Sequence, residues 1–266
     1  MLSEEQERAF FHQGFVVLRS LFSADEVKGA REAFERLYTR AQALRTTGEH
    51  DGSLFVLDAP PTGDVVVKRI VWAGGAEPVL LRLSEDRRLV DPALHLLGTP
   101  HCEQLLCQAH FKMPHDGVSF DWHQDIQHRD KGPGTWQDVN GRGSYVQTIL
   151  LIDDMRADNG PLQFLPPDAV QLDARGRLPV GDDDYGADYG SQMGSRSGGL
   201  SIDASRAITV TGHGGDVLLF GPHAVHGSLP NTSTSSRRVL INGYAAPGAN
   251  GRVYPGRGSG RTLPAG

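Results

Sequence analysis

From Pro100 onward the chain breaks into short apolar runs at residues 104–112, 144–152, 161–165, 207–211, 216–220 and 238–245, separated by segments rich in Gly, Pro and Asp. Runs of this length, closed at both ends by residues that stop regular structure, read as β-strands. Many short strands at such spacing fit a sandwich or a jelly-roll barrel. Residues 101–250 are therefore expected to form a β core.

The first hundred residues have a different texture. Residues 3–13 and 23–44 carry helical periodicity. In the second stretch Ser23 is positioned as an N-cap, and Val27, Ala30, Phe34 and Leu37 form an apolar stripe at three- and four-residue steps. A third helix is expected at residues 86–97, stopped by Gly98-Thr99-Pro100. Between the helices, residues 14–18 and 64–72 read as strands. A chain of 266 residues can bury one sizeable core, so residues 1–266 are expected to form one domain, helix-rich over 1–100. Two connections, 129–143 and 181–199, are too long for simple turns and are expected to act as lids.

Composition narrows the range of partners. The formal net charge is −6 and the Lys and Arg residues are scattered, which leaves no phosphate-neutralising stripe for a nucleic acid. A small-molecule partner is expected instead. The N-terminus MLSEEQERAFF lacks an apolar targeting core, and runs such as Ile149 to Ile152 are too short to cross a bilayer, so a cytoplasmic chain with no membrane partner is expected. The two cysteines, Cys102 and Cys107, match no CxxC spacing and are expected to be buried reduced thiols.

Three places on the β half carry chemistry. Trp122-His123-Gln124-Asp125 sets a histidine and a carboxylate two residues apart, and on an extended segment such residues share a face and can converge on one metal. Alone, that triplet arises often by chance. About a hundred residues later, the segment GDVLLFGPHAVHGS runs from Gly215 to Ser228 and places His226 on a second strand. Two histidines and one carboxylate on one face of a metal form the facial triad of non-haem iron(II) oxygenases, which leaves the opposite face open. Arg237 begins the run 238–245, where a forked guanidinium can hold the far carboxylate of a 2-oxo diacid bound at that open face.

These segments resemble the phytanoyl-CoA dioxygenase (PhyH) family of Fe(II)- and 2-oxoglutarate-dependent oxygenases. The similarity rests on WHQD, on GDVLLFGPHAVHGSLPNTS followed by Arg237, on Asp158-Asn159-Gly160-Pro161-Leu162, and on the opening segment GFVVLRSLFSADEV. The resemblance implies a mainly β fold with flanking helices, namely a double-stranded β-helix (jelly roll, cupin-like). It also implies His123, Asp125 and His226 as iron ligands, with Arg237 and Ser228 on the distal carboxylate of 2-oxoglutarate. Lys68 and Gln108 fall where the family places further co-substrate contacts. Fe(II), 2-oxoglutarate and O2 would be required, and an unactivated C–H bond of a small substrate would be hydroxylated, with succinate and CO2 as co-products.

Other outcomes share the same residues. Desaturation, epoxidation or cyclisation would differ only in where the substrate lies, and a metal- or ligand-binding β-barrel without turnover could use the same His and Asp. A halogenase is disfavoured by Asp125, since that chemistry needs a small residue there. The stretch NGPLQFLPPDA lacks the Gly and His that the family usually carries, which implies a different substrate-facing wall. The lack of a carrier-binding basic patch favours a free small molecule; Arg129, Lys131, Trp136 and Arg142 on the 129–143 connection suit an anionic or aromatic one, and the three cations favour a carboxylate. His223 is a nearby alternative to His226, the family pattern selecting the latter, and His128 is expected to be a pocket or loop residue. His12, His50, His95, His101, His110, His115 and His213 have no spacing that suggests chemistry.

Overall fold

Ser3 opens α1 (Glu4–Gln13) by accepting the Gln6 N–H while the Gln6 side chain returns a bond to the Ser3 N–H. Gly14, in the left-handed region at φ 84°, ends the helix and turns the chain into β1 (Phe15–Leu18). Ser23 and Glu26 repeat the capping device at the start of α2 (Ala24–Leu44). The stripe Val27, Ala30, Phe34 and Leu37 is buried there as expected. The computed structural model describes residues 2–130, 136–178 and 202–266, with the side chains of His128 and Asp130 left out. The 181–199 connection, Lys131 and part of the 129–143 connection lie outside the described residues.

After α2 come β2 (Gly48–His50), β3 (Ser53–Asp58), β4 (Val66–Val71), α3 (Pro78–Ser84) and α4 (Arg87–Leu97), the last capped by Asp86 and closed by Gly98. The β half follows as β5 (His101–Lys112), β6 (Phe120–His123), α5 (Asp125–Asp130), β7 (Tyr145–Leu151) and β8 (Leu162–Leu165). It ends with β9 (Ile208–Thr209), β10 (Val217–Phe220), β11 (Val225–Ser228), β12 (Arg237–Ala245) and β13 (Arg261–Pro264).

The strands form two antiparallel sheets. The larger runs β1-β10-β7-β12-β5-β4-β3-β2, with β13 beside β5, and the smaller runs β6-β11-β8-β9. The helices cover one face of the large sheet: Phe34, Leu37, Leu80, Leu94 and Leu97 share a buried cluster with Cys107, Ala109, Phe111, Leu150, Val217 and Leu240. The opposite face meets the small sheet through Phe15, Ile149, Leu151, Phe164, Leu218, Phe220 and Val239. Central strands β7 and β10 are buried on both faces, which explains their continuous apolar runs. The result is a mainly β double-stranded β-helix with flanking helices. No helix among the described residues is long and apolar enough to cross a membrane.

Strand alternation decides what reaches the space between the sheets. On β5, Cys107, Ala109 and Phe111 join the helix-side core, so Gln108, His110 and Lys112 face the small sheet. On β12, Leu240 points to the helices, while Val239 joins the cluster between the sheets and Arg237 shares its face.

Candidate active site

His123 ends β6 and His226 lies on β11, directly opposite it in the antiparallel register. Their rings are 4.2 Å apart between centroids. Each ring is tied in the same way: Nδ1 of His123 donates to the Asp121 carbonyl at 2.7 Å and Nδ1 of His226 donates to the Ala224 carbonyl at 2.9 Å. A carbonyl can only accept, so Nδ1 carries a proton in each ring, which leaves Nε2 as the nitrogen that would face a metal. Burial, joined by the neighbouring His123, pushes His226 down to about 4 and keeps it neutral.

Asp125 completes the group, and one donor atom from each of the three residues lies within 4.8 Å of the others. All three are buried. The local geometry differs from the extended segment read from the sequence, because the strand stops at His123 and Asp125 is the first residue of α5. A strand-to-helix turn, and not strand alternation, brings the carboxylate round to the imidazoles. The buried Gln124 pins that turn. Its Nε2 donates to the carbonyls of His223 at 2.7 Å and Gly176 at 3.0 Å, and its Oε1 accepts the Leu178 N–H at 2.9 Å. Ile126 N–H also donates to Pro222 O, so the turn is tied to the loop that leads into β11. Two imidazoles and a carboxylate suit iron(II), and three protein ligands leave coordination positions free.

Phe164 stacks on His226 at 5.7 Å between centroids and Phe220 meets its ring at 4.6 Å, which walls that side with apolar groups. Gly227 is required at this point: a Cβ there would lie 2.9 Å from Phe120 O, where β11 runs close against β6.

Further along β11, Ser228 accepts a bond from Lys112 Nζ at 2.8 Å. Arg237 is 3% exposed and its Nε donates to Gly160 O at 3.1 Å. Arg238 points the other way, to Asp153 and Glu35, so alternation separates the roles of this Arg pair. Gln108 shares the inner face of β5 and is bonded to His110 at 2.9 Å. Ser228, Arg237 and Gln108 thus face one space. Lys68 does not join them; it forms an ion pair with Asp58 at 3.6 Å, while the adjacent Arg69 is buried and acts electrostatically on His110.

Of the three cations read as substrate contacts, Lys131 lies outside the described residues, and the exposed Arg142 sits over Phe11 on α1. Arg129 is buried four residues after Asp125, hence on the same side of α5. Its Nη1 donates to Tyr254 Oη at 2.6 Å, and its guanidinium lies 4.1 Å from the Tyr145 ring centroid. Its Nε has no hydrogen-bond partner among the described residues. Burial works against its charge, but Tyr145, Tyr254 and Asp125 outweigh that and hold it above the usual arginine value. His223 stays out of the metal cluster, with its ring against Gly143. Lys112, His110, Arg69 and Gln124 were not singled out by sequence. The signal for the first two was the alternation Gln108-Ala109-His110-Phe111-Lys112, a strand with one polar face.

A double-stranded β-helix with a buried His-Asp-His group between its sheets defines a 2-oxoglutarate-dependent non-haem iron dioxygenase, which uses Fe(II), 2-oxoglutarate and O2. The family model for phytanoyl-CoA dioxygenase (PhyH) matches residues 10–239, and the chain belongs to that family. An ectoine dioxygenase from Bordetella bronchiseptica is 29% identical over 256 residues, covering 91% of this chain and 75% of that protein. An L-proline trans-4-hydroxylase from Streptomyces griseoviridis is 28% identical over 192 residues, 68% of each chain. The crystal structure of EctD from S. alaskensis with 2-oxoglutarate and 5-hydroxyectoine shares the fold, with a TM-score of 0.68 at 23% identity over 98% of this chain and 82% of that one.

Proposed function

We propose that the chain, acting as one domain, hydroxylates an unactivated C–H bond of a free, carboxylate-bearing small molecule and releases succinate and CO2. His123, Asp125 and His226 hold the iron, and Arg237 with Ser228 holds the distal carboxylate of 2-oxoglutarate. The observation that carries this reading is the opposed, buried histidine pair whose donor atoms converge with that of Asp125.

Bound iron supplies oxygen activation coupled to oxidative decarboxylation of the 2-oxo acid. The protein's part is to bind, orient and exclude water. The β6–β11 pairing fixes the imidazoles, Gln124 fixes the Asp125 turn, and Phe164 and Phe220 keep one side apolar. Arg129 supports the carboxylate assignment, because a buried guanidinium whose Nε has no partner among the described residues is stabilised by an anion. The relatives named for ectoine and L-proline are named for small molecules, which agrees with a free substrate.

The test is iron- and O2-dependent release of CO2 from carboxyl-labelled 2-oxoglutarate, screened against acids, amino acids and neutral metabolites, with products identified by mass. Substrate-stimulated succinate and a product heavier by one oxygen are expected. Activity confined to neutral molecules and unchanged in Arg129→Gln would remove the carboxylate from the reading, and a product without added oxygen would remove hydroxylation.

A further inference from the structure

Lys112 is 1% exposed, yet neither of its hydrogen bonds goes to a carboxylate: Nζ donates to Ser228 Oγ at 2.8 Å and to the Leu229 carbonyl. Directly across the β5–β12 pair stands Arg237, so the two side chains share the inner face as cross-strand neighbours. Arg237 Nε and Nη2 both donate to the Gly160 carbonyl, leaving Nη1 without a protein partner among the described residues. As two cations, a lysine and an arginine buried side by side would repel, and that cost falls sharply when an anion is placed between them.

Asp116 acts electrostatically on both Lys112 and Arg237, and Asp153 on Arg237, but among the described residues no carboxylate hydrogen-bonds either side chain. Asp116, in the loop after β5, accepts the backbone N–H groups of Met113 at 2.7 Å and Val118 at 2.9 Å, and burial pushes its carboxyl up. His110, next along the inner face, is held well below its ordinary value by burial, Arg69, Arg237 and Lys112, and is neutral. From β11 the Ser228 hydroxyl faces Lys112, and from β6 the Phe120 ring, 5.8 Å away.

The pair is also built into place. Gly160 has φ 81°, and a Cβ there would lie 2.6 Å from Lys112 Cδ and 2.8 Å from Leu229 O, so the loop closes directly over the lysine stem. Ser228 lies two residues beyond His226, which sets the cations roughly 7 Å along the strand from the metal ligand. That is about the reach of a five-carbon 2-oxo diacid from its chelating end to its far carboxylate.

Resting on the co-substrate reading above, we infer that Lys112 is a second cationic anchor, which clamps the distal carboxylate of 2-oxoglutarate together with Arg237. A proton accompanies the clamp. Burial, then Arg237, push Lys112 down to about 6 against the opposing pull of Asp116, so in the free protein near neutral pH the side chain is largely an amine. A carboxylate placed against it favours the ammonium, and binding takes one proton from the buffer onto Nζ.

The experiment is calorimetric titration of 2-oxoglutarate, and of 2-oxobutyrate as a monoacid lacking the distal carboxylate, into the cobalt(II)-loaded protein at about pH 8 in two buffers of different ionisation enthalpy. Wild type is expected to take up a proton with 2-oxoglutarate and none with 2-oxobutyrate. Lys112→Met and Lys112→Gln are expected to lose that uptake and to bind 2-oxoglutarate at least about tenfold more weakly, with 2-oxobutyrate affinity changed less than about twofold. Unchanged 2-oxoglutarate affinity in both variants, or equal loss for both acids, overturns the role of Lys112 and leaves the co-substrate reading intact. A wild type that binds neither acid overturns both.

Discussion

His123 and His226 occupy opposed positions in the β6–β11 register, and each ring is locked through Nδ1 to the carbonyl two residues before it. The same local bond on both strands fixes both ring orientations, so the two imidazoles face one point without a change of side-chain conformation. A pair prepared in this way loses little entropy when a metal binds.

The first prediction concerns that pair and its carboxylate. His123→Ala, Asp125→Ala and His226→Ala should each bring bound iron from one per chain to well below that, with circular dichroism little changed, because the surrounding core belongs to other residues. Metal analysis after anaerobic loading reads the outcome. Stoichiometric iron in Asp125→Ala would falsify the ligand assignment.

Gln124 should matter almost as much while touching no metal. Gln124→Leu leaves the carbonyls of His223 and Gly176 and the Leu178 N–H without their partner, a loss of about 1–3 kcal/mol. Iron affinity should fall with stability, because the turn between His123 and Asp125 is freed. If urea unfolding shows the loss but iron titration is unaffected, Gln124 supports the fold and does not position the ligands.

Arg237→Leu should raise the 2-oxoglutarate requirement on the order of a hundredfold, since a charge-assisted bond worth a few kcal/mol is removed. Iron binding should be nearly unchanged. Arg237→Lys should recover part of the loss. Equal effects on iron and 2-oxoglutarate would point instead to collapse of the Gly160 loop that Arg237 supports.

The sequence revealed the fold wherever one face of an element is apolar. The α2 stripe and the capping serine are local signals, and the continuous runs of β7 and β10 follow from burial on both sides. The hairpin β2–β3 escaped because its strands are short and partly polar, although the Asp51-Gly52 pair between them, both at positive φ, carries the turn signal. The His123, Asp125 and His226 group is legible from spacing and resemblance, but the α5 helix that delivers Asp125 is not, since six residues give no readable period. Lys68 pairs with Asp58 while the adjacent Arg69 is buried, because neighbouring strand positions face opposite ways, and spacing alone does not say which faces in. Lys112 was hidden for a physical reason, because a lysine at a strand end reads as solvent-exposed until the opposing strand is known to bring Arg237 and Ser228 against it.

The last prediction follows from that buried amine. In the folded protein without co-substrate Lys112 sits at about 6, far below the roughly 10.4 of an unfolded lysine. Between those values the unfolded chain holds the proton and the folded chain does not, so this group makes stability rise with pH, at no more than about 1.4 kcal/mol per pH unit. Below about 6 both states are protonated, and the buried charge destabilises the fold by a constant amount; above about 10.4 both are neutral and the penalty is gone. Lys112→Met carries no such charge. Its stability relative to wild type should therefore be greatest near the acid end of the window and should shrink steadily as pH rises, with the other titrating groups cancelling in the difference. Urea unfolding of both proteins, free of metal and 2-oxoglutarate, at several pH values from about 6 to about 10 measures this directly. A difference that stays flat across the range would mean that Lys112 keeps its proton in the fold, and co-substrate binding would then take up none there.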